Sequence, residues 1–225
     1  WLRKTLVDQR EHGLSSSEAA IGAEPASRDR QFGDDDVAAV RRECKRVMDA
    51  VQEVYGRWRF PVTFGAGHQI AYYWDKERNW FAFWPHSPAI ETDYRKAVEV
   101  VLDLAKGESW PPLRLYALDE AGAHNLLDEA VYYYGFAKQQ WPQLTTWTTI
   151  GGGIAMGHDE IGRLSSVVDY LTTNRFSPEI ARALVDREKP YGVYNGCGST
   201  PAGARFFFGF YGWKTGAEQI TQWAY

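Results

Sequence analysis

Sulfur is scarce in this chain: two cysteines, Cys44 and Cys197, and two methionines, Met48 and Met156, in 225 residues. Two thiols cannot build a disulfide-dense scaffold or a four-thiolate zinc site. At most they form one bridge, and free buried thiols are the simpler expectation. Long apolar runs are missing as well. No stretch reaches the roughly 18 uninterrupted apolar residues of a membrane span, which excludes a helical integral membrane protein. Positive charge is in the minority, 25 Lys and Arg against 29 Asp and Glu, for a net charge of −4. A dedicated nucleic-acid binder is usually basic, so no nucleic-acid partner is expected. There is no GxGxxG turn after a first strand, as a dinucleotide fold prefers, and no HxxxH or HExxH pair. Neither a metal nor another cofactor is expected.

What the chain has is aromatic and apolar weight. Aromatic residues make up 15% and the hydrophobic share is 44%, with ten tryptophans. That suffices for a sizeable core and excludes wholesale disorder. The sequence opens on Trp1 in a helical pattern and closes on Tyr225 in a strand pattern, so it reads as a piece of something larger.

Helical spacing of Leu2, Leu6 and Val7 predicts a helix over 1–12, stopped by Gly13. The small-residue stretch SSSEAAIGAEP after Leu14 is a candidate short strand. Asp34 to Asp36 favour a helix start, and Val37, Val40, Cys44, Val47, Met48, Val51 and Val54 predict a helix over 35–55. Residues 57–88 concentrate aromatics, and IAYYW–DKERN–WFAFW reads as a β-hairpin with a charged turn. Helix returns over 91–106. Strands at 113–119, 144–150, 165–173, 190–195 and 219–225 then alternate with helices at 126–140, 177–185 and 204–216. Strand starts 21 to 31 residues apart suit βα units and a parallel sheet. The predicted fold is α/β: a (β/α)8 TIM-type barrel, incomplete because it lacks the first strands and the last helix. Residues 1–225 form one catalytic domain, with 57–90 as an aromatic hairpin insertion.

Barrel active sites lie at the C-terminal ends of the strands. In chain order, the strand ends carry Asp119-Glu120, then Gly151 to Gly153, then Asn174, then Tyr194-Asn195, then Trp223. Asp169, Tyr170 and Trp147 come from the strands themselves, and His68 from a glycine-flanked loop. Carboxylates, amides and aromatic rings of this kind suit a carbohydrate, with rings stacked on sugar C–H faces. The acidic pair has two readings. It can serve the dipole of the following helix, or the apolar run LRLYAL can deliver both carboxylates to a catalytic rim. Neighbours in sequence can hardly straddle a sugar ring at the roughly 5 to 5.5 Å that a protein-nucleophile retaining glycosidase needs. The strand YGVYNG offers no carboxylate as nucleophile either. Substrate-assisted catalysis fits better: the substrate's 2-acetamido oxygen attacks, one carboxyl protonates the leaving oxygen and its neighbour orients the acetamido group.

RLYALDEAG, DYLTTN, KPYGVYN and ARFFFGFYGWKTGAEQITQWAY together resemble the C-terminal part of a glycoside-hydrolase barrel. Over about residues 92–225 the chain is similar to the β-N-acetylgalactosaminidases of glycoside hydrolase family 123 and their relatives. The final arginine-to-WAY stretch is the most specific part and the Asp-Glu pair alone the least. The resemblance implies Glu120 as general acid/base, Asp119 as the acetamido-orienting group, and a secreted, extracellular or periplasmic enzyme of polysaccharide degradation. The family usually follows the pair with proline, and Ala121 stands there here. It also implies that strand 113–119 is the fourth of the barrel and the stretch after Leu14 the third.

Other groups weigh less. His158-Asp159-Glu160 reads as a loop crossing the rim, Arg205 as an ion-pair partner, and the GGG run as a weak phosphate cradle. Trp80 and Trp84 share one hairpin face, for packing or for a sugar. Besides a hydrolase of N-acetylhexosaminides, the sequence admits a glycosidase for another sugar, a carbohydrate-binding barrel without catalysis, and an inactive structural fragment.

Overall fold

A computed structural model describes residues 2–11, 21–22, 32–56, 62–65, 72–75, 77, 80–83, 86–122, 126–151, 157–174, 177–194 and 201–221. The chain divides into two units, Trp1–Tyr116 and Ala117–Tyr225. Among the described residues no helix is long and apolar enough to cross a membrane.

In the first unit, α1 (Leu2–Glu11) buries Leu6, and its Arg10 Nη1 donates to the carbonyl of Val54 at 2.7 Å. After β1 (Ile21–Gly22) comes α2 (Asp34–Tyr55), which begins as its three carboxylates predict. The Asp36 side chain accepts from Gly33 N at 2.9 Å, and Val40, Cys44, Val47, Met48, Val51 and Val54 form the buried stripe. Next is β2 (Val62–Gly65), a strand that the aromatic pattern of this region hides. The expected hairpin is present: β3 (Tyr72–Asp75) pairs antiparallel with β4 (Trp80–Phe83). Trp84, the other half of the expected tryptophan face, lies outside the described residues. Helix α3 (Pro88–Gly107) starts three residues before the expected point because Ser87 Oγ caps Ile90 N at 3.3 Å and Pro88 takes the first helical position. The unit ends with β5 (Leu113–Tyr116). Its parallel order is β1-β2-β5, with Ile21 opposite Phe64 and Val62 opposite Leu113. Strand β2 therefore stands between the two segments that the sequence reads as consecutive, and the strand count shifts by one.

The second unit alternates regularly: α4 (Leu127–Gln140), β6 (Thr145–Thr149), α5 (His158–Val167), β7 (Tyr170–Thr173), α6 (Pro178–Val185) and β8 (Tyr191–Tyr194). A composite helix comes next: α7 (Pro201–Arg205), a π-helical stretch (Phe206–Tyr211) and α8 (Gly212–Thr215), closed by Gly216 at φ 74°. Strand β9 (Gln219–Thr221) is last. The sheet runs β6-β7-β8-β9, all parallel. Both units are thus α/β with parallel strands.

One element differs in kind from expectation. Residues 165–167 finish α5 and β7 begins only at Tyr170. His158-Asp159-Glu160 is the start of that helix and not a rim loop. The Glu160 carboxylate accepts from Gly157 N at 2.9 Å, so the acidic residues cap the first turn. Cys44 is a free buried thiol, as expected, and Cys197 lies outside the described residues.

Candidate active site

The second unit gathers its chemistry where its parallel strands end. Residues 117–122 are laid against β6 by backbone and side-chain bonds. The fully buried Tyr134 hydroxyl, on α4, accepts from Ala117 N at 3.0 Å and Leu118 N at 3.2 Å, and donates to the carbonyl of Trp147 at 2.7 Å. Thr148 Oγ1 donates to the carbonyl of Leu118 at 2.6 Å, and Gly122 N to that of Ile150 at 3.0 Å. Ala121, where the resemblance expects proline, is buried, and its carbonyl accepts from Leu126 N at 3.0 Å.

That frame fixes the acidic pair. Asp119 is exposed and Glu120 half-buried. Glu120 has φ 44°, the left-handed region that a residue with a side chain rarely enters. Such outliers persist only where the surroundings hold them. Here Glu120 N–H donates to Thr149 Oγ1 at 2.8 Å, and the Thr149 hydroxyl donates to Asp119 Oδ1 at 2.6 Å. The Tyr194 hydroxyl donates to Glu120 Oε1 at 2.7 Å. Thr149 is the last residue of β6 and Tyr194 the last of β8. Register and strand alternation put both on one sheet face: Thr149 lies opposite Thr172, Thr172 opposite Gly192, and Tyr194 is two residues beyond Gly192.

Tyr194 is almost wholly buried, and burial pushes its hydroxyl far above the ordinary tyrosine range. The hydrogen bond to Glu120 adds to the shift, then the charges of Glu120 and Asp119, while Thr149 opposes them. Tyr194 therefore stays a neutral donor throughout the physiological range. The two carboxyls of the pair are held by different hydroxyls on different strands. Separate surroundings of this kind let neighbouring carboxyls take different roles.

The other predicted site residues divide. Asn174 comes directly after the last residue of β7, at the same strand ends, and among the described residues its buried Oδ1 has no hydrogen-bond partner. Asp169 is a correction. It precedes β7, at the opposite end of the strands, where Oδ2 accepts from Lys138 Nζ at 2.5 Å, Thr146 N at 2.8 Å and Thr146 Oγ1 at 3.1 Å. It is a structural ion-pair partner there, displaced from the rim because α5 occupies the start of the expected strand. Tyr170, the first residue of β7, is buried opposite Trp147. Trp147 is 2% exposed, and its Nε1 donates to Thr172 Oγ1 at 3.2 Å. It offers no open ring face to a sugar, since a mid-strand tryptophan on this side packs below the strand ends. Asn195, Trp223 and His68 lie outside the described residues.

Arg205 is exposed and, among the described residues, makes no ion pair. Nor do three metal-ligating side chains gather anywhere among those residues. Sequence reading missed Thr149 and Tyr134. Thr149 carries a usable signal, as the last strand residue on the face shared with the acidic pair. Tyr134 carries none, because its partners are set by tertiary packing. Comparison of the chain with protein-family models and with curated proteins returns no match.

Proposed function

We propose that this protein is a glycoside hydrolase that cleaves 2-acetamido sugars by substrate-assisted, retaining catalysis. The supporting observation is the acidic pair at the strand ends, with Glu120 bonded to Tyr194 at 2.7 Å and Asp119 to Thr149 at 2.6 Å. The acetamido carbonyl oxygen of the substrate attacks the anomeric carbon as the bond to the leaving oxygen breaks. Glu120 gives that oxygen its proton. Asp119 accepts from the acetamido N–H and balances the positive charge of the oxazolinium ring. Water then attacks the anomeric carbon, gives its proton to the Glu120 carboxylate, and reopens the ring with retained configuration. Adjacent carboxyls suit this division better than double displacement, which needs groups about 5 to 5.5 Å apart flanking the sugar.

The finer fold is read in the same way. Parallel strands alternating with helices are the repeat of a (β/α)8 barrel, of the kind seen in the family 123 β-N-acetylgalactosaminidases, with the β3-β4 hairpin as an insertion. The carbohydrate is the partner.

The test is hydrolysis of an N-acetylhexosaminide with a poor leaving group by the wild-type chain and by Glu120→Gln. Loss of a proton donor lowers kcat by about 100-fold or more, and an aryl glycoside with a good leaving group recovers most of it. Cleavage confined to sugars without the acetamido group overturns the mechanism.

A further inference from the structure

We infer that Thr149 is the positioning residue of this site: one hydroxyl holds both members of the acidic pair, and with them the left-handed backbone of Glu120. The inference rests on Asp119 and Glu120 being the catalytic pair. A threonine hydroxyl has one proton to donate and two lone pairs to accept with. Thr149 spends the proton on Asp119 Oδ1 at 2.6 Å and receives Glu120 N–H at 2.8 Å. It is itself buried at the end of β6, where a β-branched side chain has few rotamers open to it. The fixed point therefore belongs to the sheet, while the groups it fixes belong to the segment after β5.

The geometry explains why such a clamp is needed. Glu120 sits at φ 44°, a conformation its own side chain disfavours. Releasing the N–H lets the backbone relax toward negative φ, which swings the carboxyl away from Tyr194 Oη. Releasing the hydroxyl lets the Asp119 carboxylate turn out of the orientation needed for the acetamido N–H. One substitution thus disturbs the acid and the orienting group together, although Thr149 touches no reacting atom.

Three forms of the full chain test this: wild type, Thr149→Val, which keeps the shape without the hydroxyl, and Thr149→Ser, which keeps the hydroxyl. On a 2-acetamido glycoside with a poor leaving group, Thr149→Val lowers kcat about 100-fold, as misplaced catalytic groups do. Its KM stays within about threefold, and Thr149→Ser restores most of the rate. With a good leaving group the Glu120→Gln defect shrinks but the Thr149→Val defect persists, since Asp119 is also released. Amide hydrogen exchange at Glu120 reads the clamp without any substrate. The amide is protected in wild type and Thr149→Ser and exchanges at least about tenfold faster in Thr149→Val. An unprotected Glu120 amide in wild type, or equal kcat in Thr149→Val and Thr149→Ser, overturns the inference even if Thr149→Val folds poorly. A wild-type chain that hydrolyses no 2-acetamido glycoside overturns the reaction assigned to the pair, and the exchange result then decides the clamp alone.

Discussion

Single side chains carry the strand-end architecture, and Tyr134 carries the most of it. Its hydroxyl serves two backbone N–H groups and one carbonyl, all buried. Removing a partner from a buried group costs about 1–3 kcal/mol for each group left unsatisfied, less where relaxation supplies a substitute. Tyr134→Phe is therefore expected to lower unfolding stability by about 2–4 kcal/mol. A urea titration reads this as a lower midpoint at unchanged slope. Unchanged stability would mean that water or a shifted backbone replaces the hydroxyl. At this scale the sequence places Asp119, Glu120 and Tyr194 at strand ends, where the structure has them, because strand ends can be found from pattern and the residues after them read off. It could not reveal Tyr134, since nothing within the helix pattern distinguishes Tyr134 from Tyr132 and Tyr133. Trp147 shows the opposite failure. An aromatic ring suits a sugar by chemistry, but mid-strand position gives it to the core.

At the scale of elements, periodicity was informative wherever the element was long. The buried stripe of α2 follows the apolar spacing from Val40 to Val54, whereas that of α3 holds Val98 and Val101 together with Tyr94, Ala97, Val100 and Leu104 and leaves Leu102 and Ala105 half-buried. Short strands were harder. Strand β2 is four residues after a proline, Val62 to Gly65, too short for alternation to show against the aromatics around it. The pattern of residues 165–173 reads as one strand, although Asp159 and Glu160 mark a helix start and α5 runs to Val167. Caps were the better guide. Ser177 Oγ accepts from Ile180 N at 3.1 Å with Pro178 at the first helical position, and α6 begins where that pair predicts. An eight-residue helix depends on such a cap more than a long one does. Ser177→Ala is expected to cost about 1 kcal/mol, which lowers Tm by about 2–4 °C in a chain of this size. Differential scanning calorimetry measures it. An equal Tm would show that the cap adds nothing beyond the packing of Ile180, Ala183 and Leu184.

For the molecule as a whole, buried acids in both units lower stability in alkali, among them Cys44 in the first and Tyr134 and Tyr194 in the second. Burial pushes the Cys44 thiol from about 9 up to about 12, with the Glu43 charge adding to it. Burial likewise pushes the Tyr134 hydroxyl from about 10 up to about 12, against hydrogen bonds that lower it. Both groups are neutral when protonated, so the folded state keeps protons that the unfolded chain releases. Stability is then complete below pH 9 and falls as pH rises, the direction opposite to that of an ion-paired carboxylate. The slope from Cys44 approaches about 1.4 kcal/mol per pH unit above pH 9, and Tyr134 and Tyr194 together add about twice that above pH 10. Tyr194, shifted further in the same direction, deepens the loss. Domains are stable by only about 5–15 kcal/mol, so the chain is expected to unfold before both groups titrate in the folded state. Urea unfolding between pH 7 and 11 should give a plateau, a shallow decline and then a steeper one. Cys44→Ala flattens the shallow part alone, whatever its cavity costs at pH 7, because that cost does not change with pH. A wild-type curve that stays level between pH 9 and 10 would place the Cys44 thiol in contact with water.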